Sequence, residues 1–429
     1  MTPVLLGIYI AIILIRPMDW WAPLLGIELL TVMAVVTFFT GFPAVLGRFQ
    51  LVWQRAPQVK LAVAFLLAAM LSWAARFWFA GAQTAFTDVG KVIFFFLLIL
   101  LLTKDRRACY VLLWTFLLCI AWMAIHAILQ QHTGAGFGNQ EPRYHGRNPE
   151  TGAYIRRAVA FGTFHDPNDL CLILVVGIPL FFAQYQIASN PIRKAIALTG
   201  AALCLFGAWA TNSRGGVVAI FGMLTAYSLT RIKGIKRYLL AAVAISLVTI
   251  LAPTRFAGGL KGKDRSTLWG EGLAYFKSNP LFGIGYNDFT TYSTDHLVAH
   301  NTYIHTLAEL GLVGYLPLFL MLYLTMIQLR RLIRLKEHVS TQDHLLLCSI
   351  FSALVGYLTG IYFISRQYQH ILYVLLAIAI TTTHMICNQY NLYQHLRNSL
   401  RTDTIYGLFW GLASVIVIWF TVRAANALS

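Results

Sequence analysis

Repeated apolar runs, each about as long as a bilayer-spanning helix, constrain this chain more than any other feature. A helix needs ~20 mostly apolar residues to cross the hydrocarbon core of a membrane. Such runs occur near residues 3–16, 22–45, 61–80, 89–103, 108–130, 169–188, 195–211, 216–230, 238–252, 311–329, 345–364, 370–387 and 405–422. Only 11% of the residues are charged, whereas soluble globular proteins have about a quarter. The sequence therefore predicts an all-α integral membrane protein, a polytopic bundle of about 12–13 transmembrane helices forming one domain over residues 1–429.

Basic residues in the short links between these runs indicate how the chain is oriented. Arginine and lysine are enriched in the cytoplasmic loops of membrane proteins. Here they fall on every second link, at Arg48, Arg55 and Lys60, at Lys104, Arg106 and Arg107, at Arg193 and Lys194, at Arg231, Lys233, Lys236 and Arg237, and at Arg330, Arg331, Arg334 and Lys336. These links are predicted to be cytoplasmic. Two long polar loops, residues 131–168 and 253–310, alternate with them and are predicted to lie on the outer side.

One histidine lies where a membrane enzyme would hold a base. His300 and Asn301 fall in the second long loop, shortly before the apolar run that begins at Gly311, so His300 is expected just outside the bilayer. Imidazole has a pKa near neutrality and can take a proton from a hydroxyl group. A polar residue at the interface with no catalytic role is the alternative interpretation of a lone histidine.

Arginines on the outer side point to an anionic ligand. Arg214 lies between two apolar runs, where a guanidinium is costly unless an anion meets it, and Gly215 and Gly216 would let backbone amides approach that ligand. A lipid phosphate or a carboxylate partner would also explain Arg214, and a salt bridge with Asp264 would explain Arg265. The first long loop adds further arginines, among them Arg156 and Arg157, for which solvated loop charge is the other explanation.

Four short motifs, in this order along the chain, together resemble the O-antigen ligase family. That family lies within a superfamily that also holds O-antigen polymerases and protein O-oligosaccharyltransferases. The motifs are GTFHDPND at 162–169, SRGG at 213–216, RSTLW at 265–269 followed by NPLFGIGY at 279–286, and His300-Asn301 with Gly311 and Gly314 at the family's spacing. The N-terminal third carries little of the resemblance beyond Arg16-Pro17.

The resemblance implies a function and a location. It implies a multi-pass protein of the bacterial inner membrane whose loops 131–168 and 253–310 are periplasmic. There it would transfer a preassembled glycan, the O-antigen, from undecaprenyl diphosphate to a hydroxyl on lipid A-core, with inversion at the anomeric carbon. His300 would be the general base, and Asn301 would orient its imidazole. The diphosphate would be held by Arg214 and Arg265, with Arg156 and Arg157 as further ligands and with support from Gly215 and Gly216.

Several other ligand classes are not expected. His296 and His300 lie four residues apart, but they lack the glutamate of an HExxH zinc motif, and no acidic nucleotide-sugar motif is present, so we predict no metal and no cofactor. Because the donor would already be activated, no ATP is expected. The net charge of +17 fits cytoplasmic loops that meet anionic lipid, and no basic stretch interleaved with aromatic residues indicates nucleic acid.

Three functions remain open from the sequence. The first is the ligase reaction on lipid A-core. The second is a polymerase or a protein O-oligosaccharyltransferase of the same superfamily, which would use the same donor with another acceptor. The third is a flippase or other transporter of lipid-linked glycan. Transporters place ionisable groups near the midplane and have two related halves. This function ranks lower because the polar groups of this sequence gather at one face and no related halves are evident.

Overall fold

The chain folds into a bundle of long helices, seen here in a computed structural model. The structure describes residues 2–147, 152, 154–232, 234–236 and 265–428. Within these residues, eleven helices are long and apolar enough to cross a membrane. The predicted all-α polytopic membrane fold is confirmed.

The described residues form fifteen α-helices and two β-strands. They are α1 (Thr2–Ile15), α2 (Leu29–Arg55), α3 (Pro57–Ala74), α4 (Phe79–Leu102), α5 (Arg106–Thr133), β1 (Arg143–Arg147), β2 (Tyr154–Arg157), α6 (Pro167–Ile187), α7 (Pro191–Ala210), α8 (Arg214–Arg231), α9 (Arg265–Ser278), α10 (Phe289–Tyr292), α11 (Thr302–Arg334), α12 (Thr341–Gly360), α13 (His370–Gln389), α14 (Tyr393–Arg397) and α15 (Leu400–Leu428). The eleven candidate spans are α1 to α7, α11, α12, α13 and α15.

The structure differs from the predicted runs at two places, and a further run lies outside the described residues. Helix α8 coincides with the run at 216–230, but it is not one of the eleven candidate spans. The run at 238–252 lies outside the described residues, as does the first part of the loop predicted at 253–310. That loop also ends earlier than expected, because α11 begins at Thr302 rather than at Gly311. The first two turns of α11 contain polar residues, so the apolar run in the sequence begins only at Gly311.

The predicted basic links meet at one end of the bundle. Arg106 at the start of α5 contacts Asp343 near the start of α12, with Nη2 of the arginine 3.0 Å from Oδ1. Arg331 near the end of α11 contacts Asp403 near the start of α15, with 2.6 Å between Nη1 and Oδ2. Arg48 of α2 donates a hydrogen bond to the carbonyl oxygen of Leu101, one residue before the end of α4. The motif residues lie at the opposite ends of these helices.

Helix α11 is interrupted at Gly311, where φ is 59° and ψ is −159°. The chain segment 279–286 lies against this break and replaces the helical hydrogen bonds that the break removes. The amides of Leu312 and Val313 donate to the carbonyls of Pro280 (2.9 Å) and Leu281 (3.1 Å), and the amides of Ile284 and Gly285 donate to those of Ala308 (2.8 Å) and Glu309 (3.0 Å). A break inside an apolar helix is tolerated when its backbone groups find partners in this way.

The same segment is fixed on its other side to the end of α3. The indole nitrogen of Trp73 donates to the carbonyl oxygen of Tyr286 (3.0 Å), and the amide of Tyr286 donates to the hydroxyl of Ser72 (3.0 Å). Arg76 donates from Nη2 to the side-chain oxygen of Asn279 (2.9 Å). The motif at 279–286 therefore connects the end of α3 to the break in α11. It holds in place the first part of α11, which begins two residues after His300.

Candidate active site

Four helices begin near one another on the motif side of the bundle. Asp166 caps α6, Ser213 caps α8 and Asn301 caps α11, each through a side-chain oxygen that accepts backbone N–H groups, and Arg265 is the first residue of α9. The first turn of a helix leaves N–H groups without helical partners and carries a partial positive charge. This arrangement favours an anion.

Asn168 connects two of the predicted motifs with the first long loop. Its side-chain oxygen accepts a hydrogen bond from Nη2 of Arg157 (3.0 Å) and another from the hydroxyl of Ser213 (2.7 Å). Its side-chain nitrogen donates to Oδ1 of Asp166 (2.9 Å). Arg157 also donates from Nε to the carbonyl oxygen of Thr211 (3.2 Å). The first outer loop, the start of α6 and the start of α8 are thus held together by one amide side chain.

Arg366 enters the same region from the loop between α12 and α13. Its guanidinium forms a bidentate pair with the carboxylate of Asp169, a side chain that is only 3% exposed. The amide of Arg366 donates to the hydroxyl of Thr302 (2.9 Å), and this hydroxyl donates to the carbonyl oxygen of Ile364 (2.7 Å). Arg366 was not among the predicted site residues. The signal that could have found it is the Ser-Arg pair at 365–366, which repeats the pair at 213–214 on the same predicted face.

His300 is the last residue before the cap of α11, and its backbone is strained. Its φ is 50°, in the left-handed region that residues other than glycine rarely adopt. Neighbouring contacts hold the strained segment: the indole of Trp269 in α9 donates to the carbonyl oxygen of Ala299 (3.0 Å), and Asn301 caps the helix. Backbone strain of this kind is concentrated at functional sites.

The surroundings of His300 keep its imidazole neutral. Burial lowers the pKa of His300 to about 4, and the positive charges of Arg265 and Arg366 act in the same direction, against an opposing effect of Asp166. A neutral imidazole has a nitrogen lone pair that is free to accept a proton. The site therefore holds a histidine in the form that a general base requires.

The arginines predicted from the first long loop and from two motifs lie close enough for their charges to interact. Burial lowers the pKa of Arg157, and the charges of Arg214 and Arg265 lower it further, whereas Asp166 raises it. Burial and Arg214 lower the pKa of Arg265 in the same way. We call Arg157, Arg214, Arg265 and Arg366 the cationic cluster.

The charges of the cationic cluster are partly offset by carboxylates. Asp169 pairs with Arg366, and Asp166 acts on Arg157 and Arg265 through its charge. Like charges held together in a partly buried site repel each other, so an anion bound among them would be stabilised.

The remaining predicted site residues have mainly structural contacts. The side-chain oxygen of Asn301 accepts the amides of Tyr303 (3.0 Å) and Ile304 (3.1 Å), so this residue stabilises the start of α11. The amide of Gly216 donates to the hydroxyl of Ser213 (3.1 Å), and a Cβ here would lie 2.0 Å from Sγ of Cys171. A Cβ on Gly215 would make only ordinary contact with Phe363, at 3.4 Å, so this glycine is not required by packing.

Arg156 is separated from the other predicted arginines. In β2, Arg157 is partly buried toward the cluster, whereas Arg156 is exposed. Successive side chains of a strand point to opposite faces, which explains why these neighbours differ. The carbonyl oxygen of Arg156 accepts a hydrogen bond from the side chain of Asn212 (2.8 Å), so its backbone contributes to the site although its side chain does not.

Glu309 is the partner of His305, as their spacing of four residues predicts. Nε2 of His305 lies 2.8 Å from Oε1 of Glu309, and both side chains are buried. Glu309 also accepts hydrogen bonds from the amide of Phe289 (3.0 Å) and the hydroxyl of Tyr368 (2.9 Å). Its carboxylate therefore connects α11 to α10 and to the loop between α12 and α13.

Part of the chain matches the model of a known protein family. Residues 199–319 match the family model described as O-Antigen ligase, and this range runs from α7 through the cap at Asn301 to the second half of α11. The predicted resemblance to the O-antigen ligase family is confirmed. The match supports a glycosyltransferase of the ligase or polymerase type in lipopolysaccharide biosynthesis. No curated protein matches the chain.

Proposed function

We propose that this protein transfers a preassembled glycan from undecaprenyl diphosphate to a hydroxyl of lipid A-core, on the periplasmic side of the bacterial inner membrane. The observation that carries the proposal is the position of His300, directly before the start of α11 and beside the cationic cluster. A base next to an anion site suits this reaction, because the acceptor hydroxyl loses a proton to the base while the diphosphate leaves from the anion site. The periplasmic loops are residues 131–168 and 253–310, on the side opposite the basic links.

The reaction would proceed in one displacement. A nitrogen of the His300 imidazole accepts the proton of the acceptor hydroxyl, and the oxygen forms a bond to the anomeric carbon. The bond from that carbon to the diphosphate oxygen breaks, and its electron pair goes to the diphosphate. In-line attack inverts the configuration of the anomeric carbon. The protonated His300 then releases its proton to solvent.

The cationic cluster would provide the stabilisation of the leaving group. A diphosphate diester carries two negative charges at neutral pH, and the guanidinium groups of the cationic cluster would attract it. Planar guanidinium groups bind phosphate oxygens through paired hydrogen bonds, and fixed donors aimed at developing charge are a major source of rate enhancement. Arg214 and Arg265 are the proposed principal ligands, with Arg157 beside them.

The reaction would need neither ATP nor a metal ion. The donor is already activated by its diphosphate. The guanidinium groups of the cationic cluster would take the place of a metal ion at the departing diphosphate. Transfer is therefore expected to continue in EDTA without ATP.

Reconstituted transfer tests the proposal. Purified protein in nanodiscs would be given undecaprenyl-diphosphate-linked glycan, with lipid A-core, a second lipid-linked glycan or a peptide as acceptor. His300→Gln should lower transfer at least ~10²-fold, the effect typical of losing a general base. The control is His296→Gln, since His296 is exposed and its Nδ1 contacts only the carbonyl oxygen of Thr290.

The outcomes separate the alternatives. Preference for lipid A-core supports the ligase assignment, and preference for the second glycan or for the peptide replaces it with a polymerase or a protein O-oligosaccharyltransferase. Transport of the glycan without any transfer would indicate a flippase. Full activity in a well-folded His300→Gln protein would remove His300 from the mechanism.

A further inference from the structure

A groove of about 680 Å³ lies between α9 and the last turns of α15. On α9 it is lined by a stripe at helical spacing, Gly270, Leu273, Ala274 and Lys277, and on α15 by a second stripe, Val415, Trp419, Val422, Arg423 and Asn426. Positions three, four and seven residues apart lie on one face of a helix, so two helix faces enclose the groove. A Cβ on Gly270 would lie 2.7 Å from the side-chain nitrogen of Asn426, so the two helices are in close contact there.

The groove has an apolar wall and a cationic rim. Leu273, Phe276 and Val422 form much of the wall. Lys277 and Arg423 are exposed, and within the described residues neither lies within 4.0 Å of a carboxylate oxygen. The one acidic side chain of α9, Glu271, is turned to another side of the helix, where it accepts a hydrogen bond from Thr294 (2.5 Å). Apolar surface beside uncompensated cations is the chemistry that recognises an acyl chain attached to a phosphate.

The position of the groove is suited to a lipid of the membrane. Helix α15 is a candidate span, and its Trp419 and Phe420 are 42% and 61% exposed close to its end. Tryptophan is enriched at the membrane interface, where its ring lies at headgroup level. The guanidinium of Arg423 lies 5.1 Å from the centre of the Trp419 ring, so this cation is at the same level. The groove is therefore open to lipid at the interface on the His300 side of the membrane.

Helix α9 connects the groove directly to the candidate active site. Arg265 of the cationic cluster is its first residue and Lys277 lies near its last, so at 1.5 Å per residue the two are about 18 Å apart along the helix. Between them, Trp269 holds the backbone before His300 through the carbonyl of Ala299. Buried residues of α9, α11 and α15, among them Leu268, Ile304 and Val422, form one hydrophobic cluster.

We propose that the groove between α9 and α15 binds the acceptor, a phosphorylated glycolipid whose acyl chains lie along the apolar wall and whose phosphate meets Lys277 and Arg423. This assignment rests on the proposed transferase function. One diphosphate cannot reach both the cationic cluster and Lys277 across about 18 Å, so the two sites hold different molecules. Trp269, which contacts the residue before His300, lies about 12 Å from Lys277 along α9. An acceptor whose phosphate meets Lys277 must span a comparable distance to bring its hydroxyl to His300, which requires a headgroup of several sugars.

Kinetics of transfer form the first test. The double substitution Lys277→Gln with Arg423→Gln should raise the KM for lipid A-core about 10-fold or more, as expected for losing charge-assisted contacts to a phosphate. The KM for the donor and the kcat at saturating acceptor should stay within about 2-fold. Arg193→Gln with Lys194→Gln is the charge-matched control, because both residues are exposed at the start of α7 at the opposite end of the bundle. An unchanged acceptor KM in the groove variant would overturn the proposal.

Direct binding forms the second test and does not depend on transfer. All six native cysteines are buried, so a cysteine introduced by Ala274→Cys, at an exposed groove position, can be labelled selectively with a maleimide. Lipid A-core should slow the labelling, and its dephosphorylated form and phosphatidylglycerol should slow it much less. Equal protection by phosphatidylglycerol would show a site for bulk anionic lipid, and no protection by any lipid would show that the groove is not a lipid site. Both results overturn the assignment, whereas failure of the wild-type protein to transfer glycan, with protection intact, counts against the proposed function alone.

Discussion

Gly311 and Leu281 approach so closely that a Cβ atom on Gly311 would lie 2.3 Å from the carbonyl oxygen of Leu281. This contact is part of the hydrogen-bonded junction where the motif at 279–286 meets the break in α11. The φ of 59° and ψ of −159° at Gly311 lie in a region that only glycine adopts without strain. Both the backbone conformation and the close contact therefore require glycine at this position.

We expect Gly311→Ala to destabilise the protein by several kcal/mol, since backbone strain of ~1–3 kcal/mol adds to an overpacking cost of similar size. Thermal unfolding of the purified protein in detergent would measure the loss. Gly90→Ala is the matched control, because Gly90 lies within α4 with open space around its Cβ position. The free energy of unfolding of the Gly90→Ala protein should differ from that of the wild type by no more than about 1 kcal/mol. Equal melting temperatures for the two variants would contradict the structural role of the break.

The sequence predicted the membrane fold and much of the candidate site for a physical reason. Long apolar runs are the strongest local signal in a membrane protein, because each span must satisfy its own backbone hydrogen bonds. Residues His300, Arg214 and Arg265 were found because short local motifs mark the start of helices. Their positions beside one another in the structure then follow from helices that begin on the same side of the membrane.

The parts that the sequence did not predict depend on distant contacts. Arg366 pairs with Asp169 across 197 residues, and no local pattern indicates that partner. The start of α11 at Thr302 was missed because His305 and Glu309 look like loop residues, although they form a buried pair inside the helix. Arg156 and Arg157 were grouped as neighbours in a loop, whereas strand β2 places them on opposite faces.

The alternation in β2 makes a testable distinction between two adjacent arginines. Arg157→Ala should lower kcat/KM for the lipid-linked donor about 10-fold or more, because it removes a charge-assisted contact worth ~1.5–3 kcal/mol from the proposed diphosphate site. Arg156→Ala should stay within about 2-fold, since its side chain is exposed and away from the cluster. Donor titrations at saturating acceptor would compare them. Equal losses of kcat/KM in the two variants would show that the donor responds to the general charge of the loop and not to the buried position of Arg157.

Impermeant thiol labelling checks the proposed orientation. A cysteine at Leu297, which is 48% exposed three residues before His300, should react with an impermeant maleimide in intact spheroplasts. A cysteine at His338, exposed in the link after α11, should react only after the membrane is permeabilised. The six buried native cysteines should leave the background low. The reverse pattern would put His300 on the cytoplasmic side and exclude a periplasmic reaction.

The pH dependence of transfer should report the charges around His300. In the free protein the imidazole has a lowered pKa of about 4, so it is neutral at pH 7 and loses its basic form only as the pH falls toward 4. Arg265→Gln removes one of the positive charges that lower this pKa, so the acid limb of the kcat/KM profile should move to higher pH. Bound diphosphate would offset the same charges, and the acid limb of kcat should therefore lie at higher pH than that of kcat/KM in the wild type.

The control for this shift is Arg193→Gln, which removes an exposed charge at the opposite end of the bundle and should leave both limbs in place. If Arg265 only binds the donor, its loss raises the donor KM and the acid limb does not move. A limb that stays fixed in Arg265→Gln would thus separate donor binding from the electrostatic effect on His300. Such a result would limit the role of Arg265 to binding the donor, and the loss of activity in His300→Gln would remain the test of which group takes the proton from the acceptor hydroxyl.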